Sequence, residues 1–119
     1  IGKSTEIIYG LRNFIGNANK FSKKKVDIFV LTIKNKTIIK IIDDGNGFPK
    51  DLINKEKIGQ PYIRTLENTD VSKQGLGLGT FIGKTLLEKN FATVTFKNSD
   101  ILKGAEVNIE WNNIDLKKI

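Results

Sequence analysis

At 119 residues the chain is long enough to bury one core and too short for two, and no run of about 18 apolar residues or signal-peptide pattern occurs in it. Cysteine and histidine are both absent, which excludes disulfides, thiolate and imidazole metal sites, a histidine general base and a histidine phosphoacceptor within these residues; a metal would need oxygen ligands, as magnesium prefers. The net charge of +7 comes from lysines spread along the sequence, with arginine only at Arg12 and Arg64, so a nucleic-acid reading rests on diffuse charge alone.

Ser4 or Thr5 can cap a first helix running to about Phe21. Ile7, Ile8, Leu11, Phe14, Ile15, Ala18 and Phe21 recur at helical spacing and predict its buried stripe. Asn13, Asn17 and Lys20 fall at i, i+4 and i+7, a second, polar row beside it. The stretches from Val26 to Ile33 and from Thr37 to Asp43 are rich in β-branched residues and flank Lys34-Asn35-Lys36, the pattern of a hairpin. Alternation puts Asp43 on the side of Ile39 and Ile41, yet Ile38 and Ile42 make the opposite face apolar too. The pattern therefore does not choose the face that carries the helices.

Residues 50–73 are polar and mixed in charge, and Gly59, Pro61, Asn68 and Asp70 break them. So long a stretch without periodicity in a small domain signals a functional segment or disorder. Leu78 to Lys89 reads as a second helix, entered through Gly75, Gly77 and Gly79 and buried through Phe81, Ile82, Leu86 and Leu87. Two strands are expected near Ala92 to Lys97 and Ala105 to Trp111, joined by a turn from Asn98 to Gly104, with residues 112–119 as a frayed tail. The opening at Ile1, straight into a helix, is what a piece of a longer protein would show.

Three features carry chemistry. Asp43-Asp44-Gly45-Asn46-Gly47 ends a strand in a glycine-rich turn, which as an isolated motif is a turn more often than a site. A buried carboxylate there could accept a hydrogen bond from the exocyclic amine of adenine, and the glycines would let backbone lie close to a base. Gly75-Leu76-Gly77-Leu78-Gly79 leads into a helix whose unpaired amides form an anion site, and Lys73 just upstream could add a charge for phosphates. Asn17 could offer an amide oxygen to magnesium. Gly2-Lys3-Ser4 and Gly83-Lys84-Thr85 are phosphate-loop decoys, since each lacks the upstream glycine. The dinucleotide glycine pattern and the EF-hand spacing are not met either.

The order of these pieces resembles the ATP-binding catalytic domain of sensor histidine kinases, of the type shared with gyrase, Hsp90 and MutL. Leu11 to Ala18 resembles the N box, Asp43 to Phe48 the first glycine box, Gly75 to Gly79 the second, and Gly104-Ala105 a weaker third. The resemblance covers nearly the whole chain. It implies an α/β fold, the two-layer Bergerat sandwich with a mixed sheet and helices on one face, in which 1–119 is one catalytic domain and 50–73 its ATP lid. By position, Asp43 would bind adenine, Asn17 would hold magnesium, and Asn13 and Lys20 would approach the phosphates. Gly45 and Gly47 would border the base, while Lys73, Gly75, Leu76, Gly77, Leu78 and Gly79 would shape the lid hinge and phosphate loop. Tyr62 would stand in the aromatic lid position. Gly59 to Tyr62, Phe81 to Glu88 and the Gly104 to Trp111 ending look most like the RegB/PrrB kinases. Thr80 departs from the leucine usual after the last glycine.

Hydrolases of this superfamily carry a glutamate four residues before the magnesium asparagine; here that residue is Asn13, which favours a kinase. The implied reaction gives the γ-phosphate of Mg-ATP to a histidine on a separate dimerisation domain, and thence to a response regulator. The implied parent is a homodimer, with this domain cytoplasmic and the parent anchored in the inner membrane in some such kinases. A domain without histidine should not phosphorylate itself. The alternatives are a regulatory module that binds ATP without catalysis and, with less support, a basic nucleic-acid-binding domain.

Overall fold

The computed structural model describes residues 3–49 and 78–118. In chain order these form α1 (Lys3–Phe21), β1 (Val26–Ile33), β2 (Lys36–Asp43), α2 (Leu78–Lys89), β3 (Thr93–Asn98), β4 (Ala105–Asn112) and the short α3 (Asn113–Leu116). No helix among the described residues is long and apolar enough to cross a membrane.

The strands follow the order β1-β2-β4-β3. Ile33 pairs with Lys36 around the two-residue loop Lys34-Asn35, one residue shorter than the sequence suggested, and this hairpin sets β1 antiparallel to β2. A second hairpin sets β3 antiparallel to β4. Strands β2 and β3 run in the same direction across the α2 connection, but β4 inserts between them and is antiparallel to both. The two-layer α/β expectation is met, while every pairing among the described strands is antiparallel and the mixed pairing is not formed there.

Register decides which face of the sheet the helices cover. Ile39 opposes Ile109 and Ile41 opposes Val107, and Val94 and Phe96 continue the same face across β3. Phe14 and Ala18 of α1 and Leu87 of α2 join Ile41, Val94, Val107, Ile109 and Trp111 in one core. Leu87 and Ile109 are both 0% exposed, and each contributes roughly 1.5–3 kcal/mol through burial. The opposite face carries charge pairs, among them Lys36–Glu110 at 3.2 Å and Lys40–Glu106 at 3.7 Å.

The two helices cross at glycines. A Cβ on Gly10 would lie 2.9 Å from Leu87 Cγ, and one on Gly83 would lie 3.1 Å from the Phe14 ring. Gly83 of the decoy motif thus serves close helix packing. The inward row of α2 is Thr80, Gly83 and Leu87, continued by Asn90 just past its end, all buried, whereas Phe81, Ile82 and Leu86 are only half-buried. Ile8, expected in the buried stripe of α1, is 53% exposed, because the core row runs through Ile7, Leu11, Phe14 and Ala18 and Ile8 lies about 100° from Ile7. Helix α1 is already formed at Lys3, so Ser4 and Thr5 lie within its first turn. Asn113–Leu116 is helical where a frayed tail was expected. It is anchored by the Asn113 amide on the Asn35 carbonyl at 2.8 Å and the Thr37 hydroxyl on Asn113 Oδ1 at 2.7 Å.

Candidate functional site

One end of the core opens into a cavity of about 660 Å³, its mouth included, between α1, the carboxyl end of β2 and the β3–β4 edge. Phe14, Ala18, Phe21, Ile41, Phe48, Phe96 and Val107 give it apolar walls. The Phe96 ring meets Phe14 and Phe48 edge-on at 5.8 and 5.7 Å, which fixes the walls as an aromatic cluster. Asn17, Asp43, Asn46 and Thr80 supply polar side chains to this lining. A flat, mostly apolar solute with a few polar edges suits such a cavity.

Asp43 sits at the end of β2 and is 4% exposed. Its Oδ1 accepts the Gly45 amide at 2.8 Å and the Ala105 amide at 3.3 Å. Burial pushes its pKa up, the Gly45 and Ala105 amides oppose that shift, and the neighbouring Asp44 charge adds to it. The start of β4 closes tightly on this carboxylate: a Cβ on Gly104 would be driven into the Asp43 carbonyl and Oδ1. Only glycine permits that approach.

The polar row of α1 divides in three. Asn17 lines the cavity, and its Nδ2 donates to Thr80 Oγ1 of α2 at 3.2 Å. Asn13 donates Nδ2 to the Tyr9 carbonyl of its own helix at 2.9 Å, and its Oδ1 lies 3.5 Å from where a Cβ on Gly79 would stand. Lys20 is exposed, with Nζ 5.4 Å from the centre of the Phe21 ring. Of the residues singled out from sequence, Asn17, Asp43 and Gly47 line the cavity together; Gly45 supports Asp43, Asn13 and Gly79 stand nearby, and Lys20 is not among the lining residues. Tyr62, Lys73, Gly75, Leu76 and Gly77 lie outside the described residues, and Leu78 is described only as the first residue of α2.

Residues 2–113 match the sequence family of histidine kinase-, DNA gyrase B- and HSP90-like ATPases. The chain belongs to that family. As an ATPase domain it is an ATP-binding module, as the boxes resembled. It is 38% identical over 99 residues to the sensor histidine kinase RegB of Cereibacter sphaeroides, a match covering 79% of this chain and 21% of RegB. It is 30% identical over 101 residues to the sensor histidine kinase CpxA of Escherichia coli, covering 84% of this chain and 21% of CpxA. The domain thus spans about a fifth of the length of these curated relatives. The mycobacterial sensor histidine kinase MprB shares the fold, with a TM-score of 0.75 at 21% identity over 93% of this chain and 74% of that one.

Two supports of the ATPase domain's site escaped the sequence reading. Asn98, at the end of β3, clamps the segment leaving the glycine turn: its Oδ1 accepts the Phe48 amide at 2.7 Å and its Nδ2 donates to the Phe48 carbonyl at 3.1 Å. Side-chain amides imitate strand pairing in this way, but the sequence signal was only a turn beginning at Asn98. Asp44 accepts the amides of Lys23, Lys24 and Lys25 at 2.7, 3.1 and 3.3 Å, so the basic run contributes backbone donors to the α1–β1 turn.

Proposed function

We propose that this domain binds Mg-ATP and presents its γ-phosphate to a histidine on a separate dimerisation domain of a parent sensor kinase, for relay to a response regulator. The observation that carries this is a buried carboxylate, Asp43, at the floor of an apolar aromatic cavity with the Asn17 amide on its wall. Asp43 accepts the exocyclic amine of adenine. Guanine carries a carbonyl oxygen at that position and is repelled. A hydrogen bond to a charged acceptor contributes roughly 1.5–3 kcal/mol, enough to select ATP over GTP by about tenfold or more.

Asn17 Oδ1 would be the protein's ligand to magnesium. Among the described residues no group of three or more carboxylates could cage a cation, which fits an ion that takes most of its ligands from phosphate oxygens and water. Bound there, magnesium would neutralise phosphate charge. Asn13 and Lys20 lie on the same row of α1 and approach the phosphates, and residues 50–73, outside the described residues, are assigned as the lid. Asp43 is the sole carboxylate among the described lining residues, and it is engaged by two backbone amides. With Asn13 in place of a glutamate base, water attack is slow and the phosphate is kept for the histidine. A homodimeric parent, with this domain in the cytoplasm, belongs to the same reading.

The test is calorimetric titration with ATP and GTP, with and without magnesium, followed by phosphotransfer from ATP to an added histidine-bearing dimerisation domain. ATP-selective, magnesium-dependent binding with transfer is expected. Binding without transfer would replace this reading with a regulatory ATP module. Rapid ATP turnover by the domain alone would place it with the hydrolases.

A further inference from the structure

We infer that Thr80 is a positioning residue that anchors the Asn17 amide through its nitrogen, leaving the amide oxygen for the metal–phosphate end of the ligand. The inference rests on the proposed role of Asn17 toward magnesium. An asparagine amide is nearly symmetric in shape, and a rotation of 180° would offer a metal its NH₂ group, which cannot coordinate. A threonine hydroxyl can accept from the amide nitrogen or donate to the amide oxygen, and at Asn17 it accepts, which leaves Oδ1 for the ligand.

Asn17 and Asn13 stand one turn apart on α1 and solve this differently. Asn13 satisfies its amide hydrogens locally, on the Tyr9 carbonyl at 2.9 Å. Asn17 reaches across to the first turn of α2, where Thr80 Oγ1 accepts from its Nδ2 at 3.2 Å. Both partners line the cavity, and Thr80 is 1% exposed, so water does not compete freely for the hydroxyl. An aliphatic residue at position 80 could accept no hydrogen bond and would leave the amide free to turn. Because the hydroxyl belongs to the helix that follows the glycine-rich segment, it also couples the orientation of Asn17 to the seating of α2 against α1.

The readout is the ratio of ATP dissociation constants without and with magnesium, measured by calorimetry on the 119-residue chain. Thr80→Val keeps the shape and removes the hydroxyl; Thr80→Ser keeps the hydroxyl. A single hydrogen bond in this range predicts that Thr80→Val lowers the magnesium-dependent gain by about threefold to tenfold, and that Thr80→Ser restores most of it. In an Asn17→Ala background, Thr80→Val should produce no further loss of that gain. An unchanged ratio in Thr80→Val, or an equal loss with and without Asn17, overturns the inference, since a merely structural link between the helices would act irrespective of the amide. If Asn17→Ala itself leaves the ratio unchanged, the magnesium role of Asn17 fails first and the inference falls with it. Should Thr80→Val not fold, a ratio in Thr80→Ser as low as that of Asn17→Ala counts against the hydroxyl, and one near wild type supports it.

Discussion

Asp43 and Asp44 are consecutive in the chain and belong to two different regions of the molecule. Asp43 is buried at the cavity floor, where Gly45 and Ala105 each give one backbone amide to the same carboxylate oxygen. Asp44 collects three consecutive amides from the α1–β1 turn and makes no part of the cavity lining. Their ionisation is biased in opposite directions. Burial pushes Asp43 up, whereas the Lys24 amide, helped by those of Lys23 and Lys25, holds Asp44 below the usual carboxylate range. Successive side chains at a strand end leave on opposite sides, so one of the pair can serve a ligand while the other ties down the fold.

This separation can be broken first at Gly104. The Cβ in Gly104→Ala would collide with the Asp43 backbone and Oδ1, and these are not flexible side-chain ends that can swing aside. We expect overpacking of about 1–3 kcal/mol in a denaturant melt, together with loss of ATP binding, because the floor itself has to move. Wild-type affinity in this variant would mean that Asp43 is not held by the start of β4. Asp43→Asn is gentler. It keeps the shape, removes the charge and presents an NH₂ group in place of one oxygen, so ATP affinity should fall by about tenfold or more while GTP affinity changes little. Equal losses for both nucleotides would dismiss the adenine assignment.

Elements with strong patterns were legible. The β-branched runs gave β1 and β2 almost to the residue, and α1 and α2 were found within one or two positions of their ends. What the pattern missed is polar or small. The buried row of α2 contains Thr80 and Gly83 and is continued by Asn90 just past the helix, residues that hydropathy scores as outward, while Phe81 and Ile82 point to a neighbouring face. Asn90 is buried at 1% exposure because its side chain and carbonyl are both occupied, by Leu86 O at 2.8 Å and Trp111 Nε1 at 3.0 Å. Asp43 and Asn17 were legible as site candidates from order and spacing. The Asn98 clamp and the closure of Gly104 on Asp43 depend on the sheet order, and the Thr80 contact on the crossing of α1 and α2, neither of which local sequence encodes. The helix-bearing face was settled by the same long-range pairing, Ile39 with Ile109 and Ile41 with Val107.

Acidification sharpens the comparison because the two carboxylates respond at different pH. The folded-state pKa of Asp43 lies above 3.8, so its charged form costs stability above that pKa and the cost is relieved as pH falls. Protonation would also remove the charge on which the proposed contact with adenine depends. Asp44 has a folded pKa below 3.8; its contribution is present above the unfolded value and is lost only as pH falls through the lower, folded value. ATP selectivity should therefore disappear at a higher pH than the fold. Titrating the wild type and Asp43→Asn in parallel cancels the protonation of ATP itself. The ratio of their affinities should shrink toward one as pH drops, while circular dichroism still reports a folded chain. A constant ratio down to the pH of unfolding would mean that the Asp43 charge does not contribute to binding.

The smallest effect on binding is expected from Asp44→Ala. That change strands the amides of Lys23, Lys24 and Lys25, which are near the surface and can turn to water, so the melting temperature should fall by only a few degrees. The turn joins α1 to β1, and Asn17 stands more than a helical turn back from it, with its amide held by α2 rather than by the turn. ATP affinity should therefore stay within about twofold of wild type. A loss approaching that of Asp43→Asn would show that the α1–β1 turn and the cavity floor move as one body through the Asp43–Gly45 segment. The magnesium dependence distinguishes the two ways this could occur: if α1 shifts, the ratio attributed to Asn17 changes with the affinity, whereas if only the floor shifts, ATP selectivity over GTP falls and that ratio is preserved.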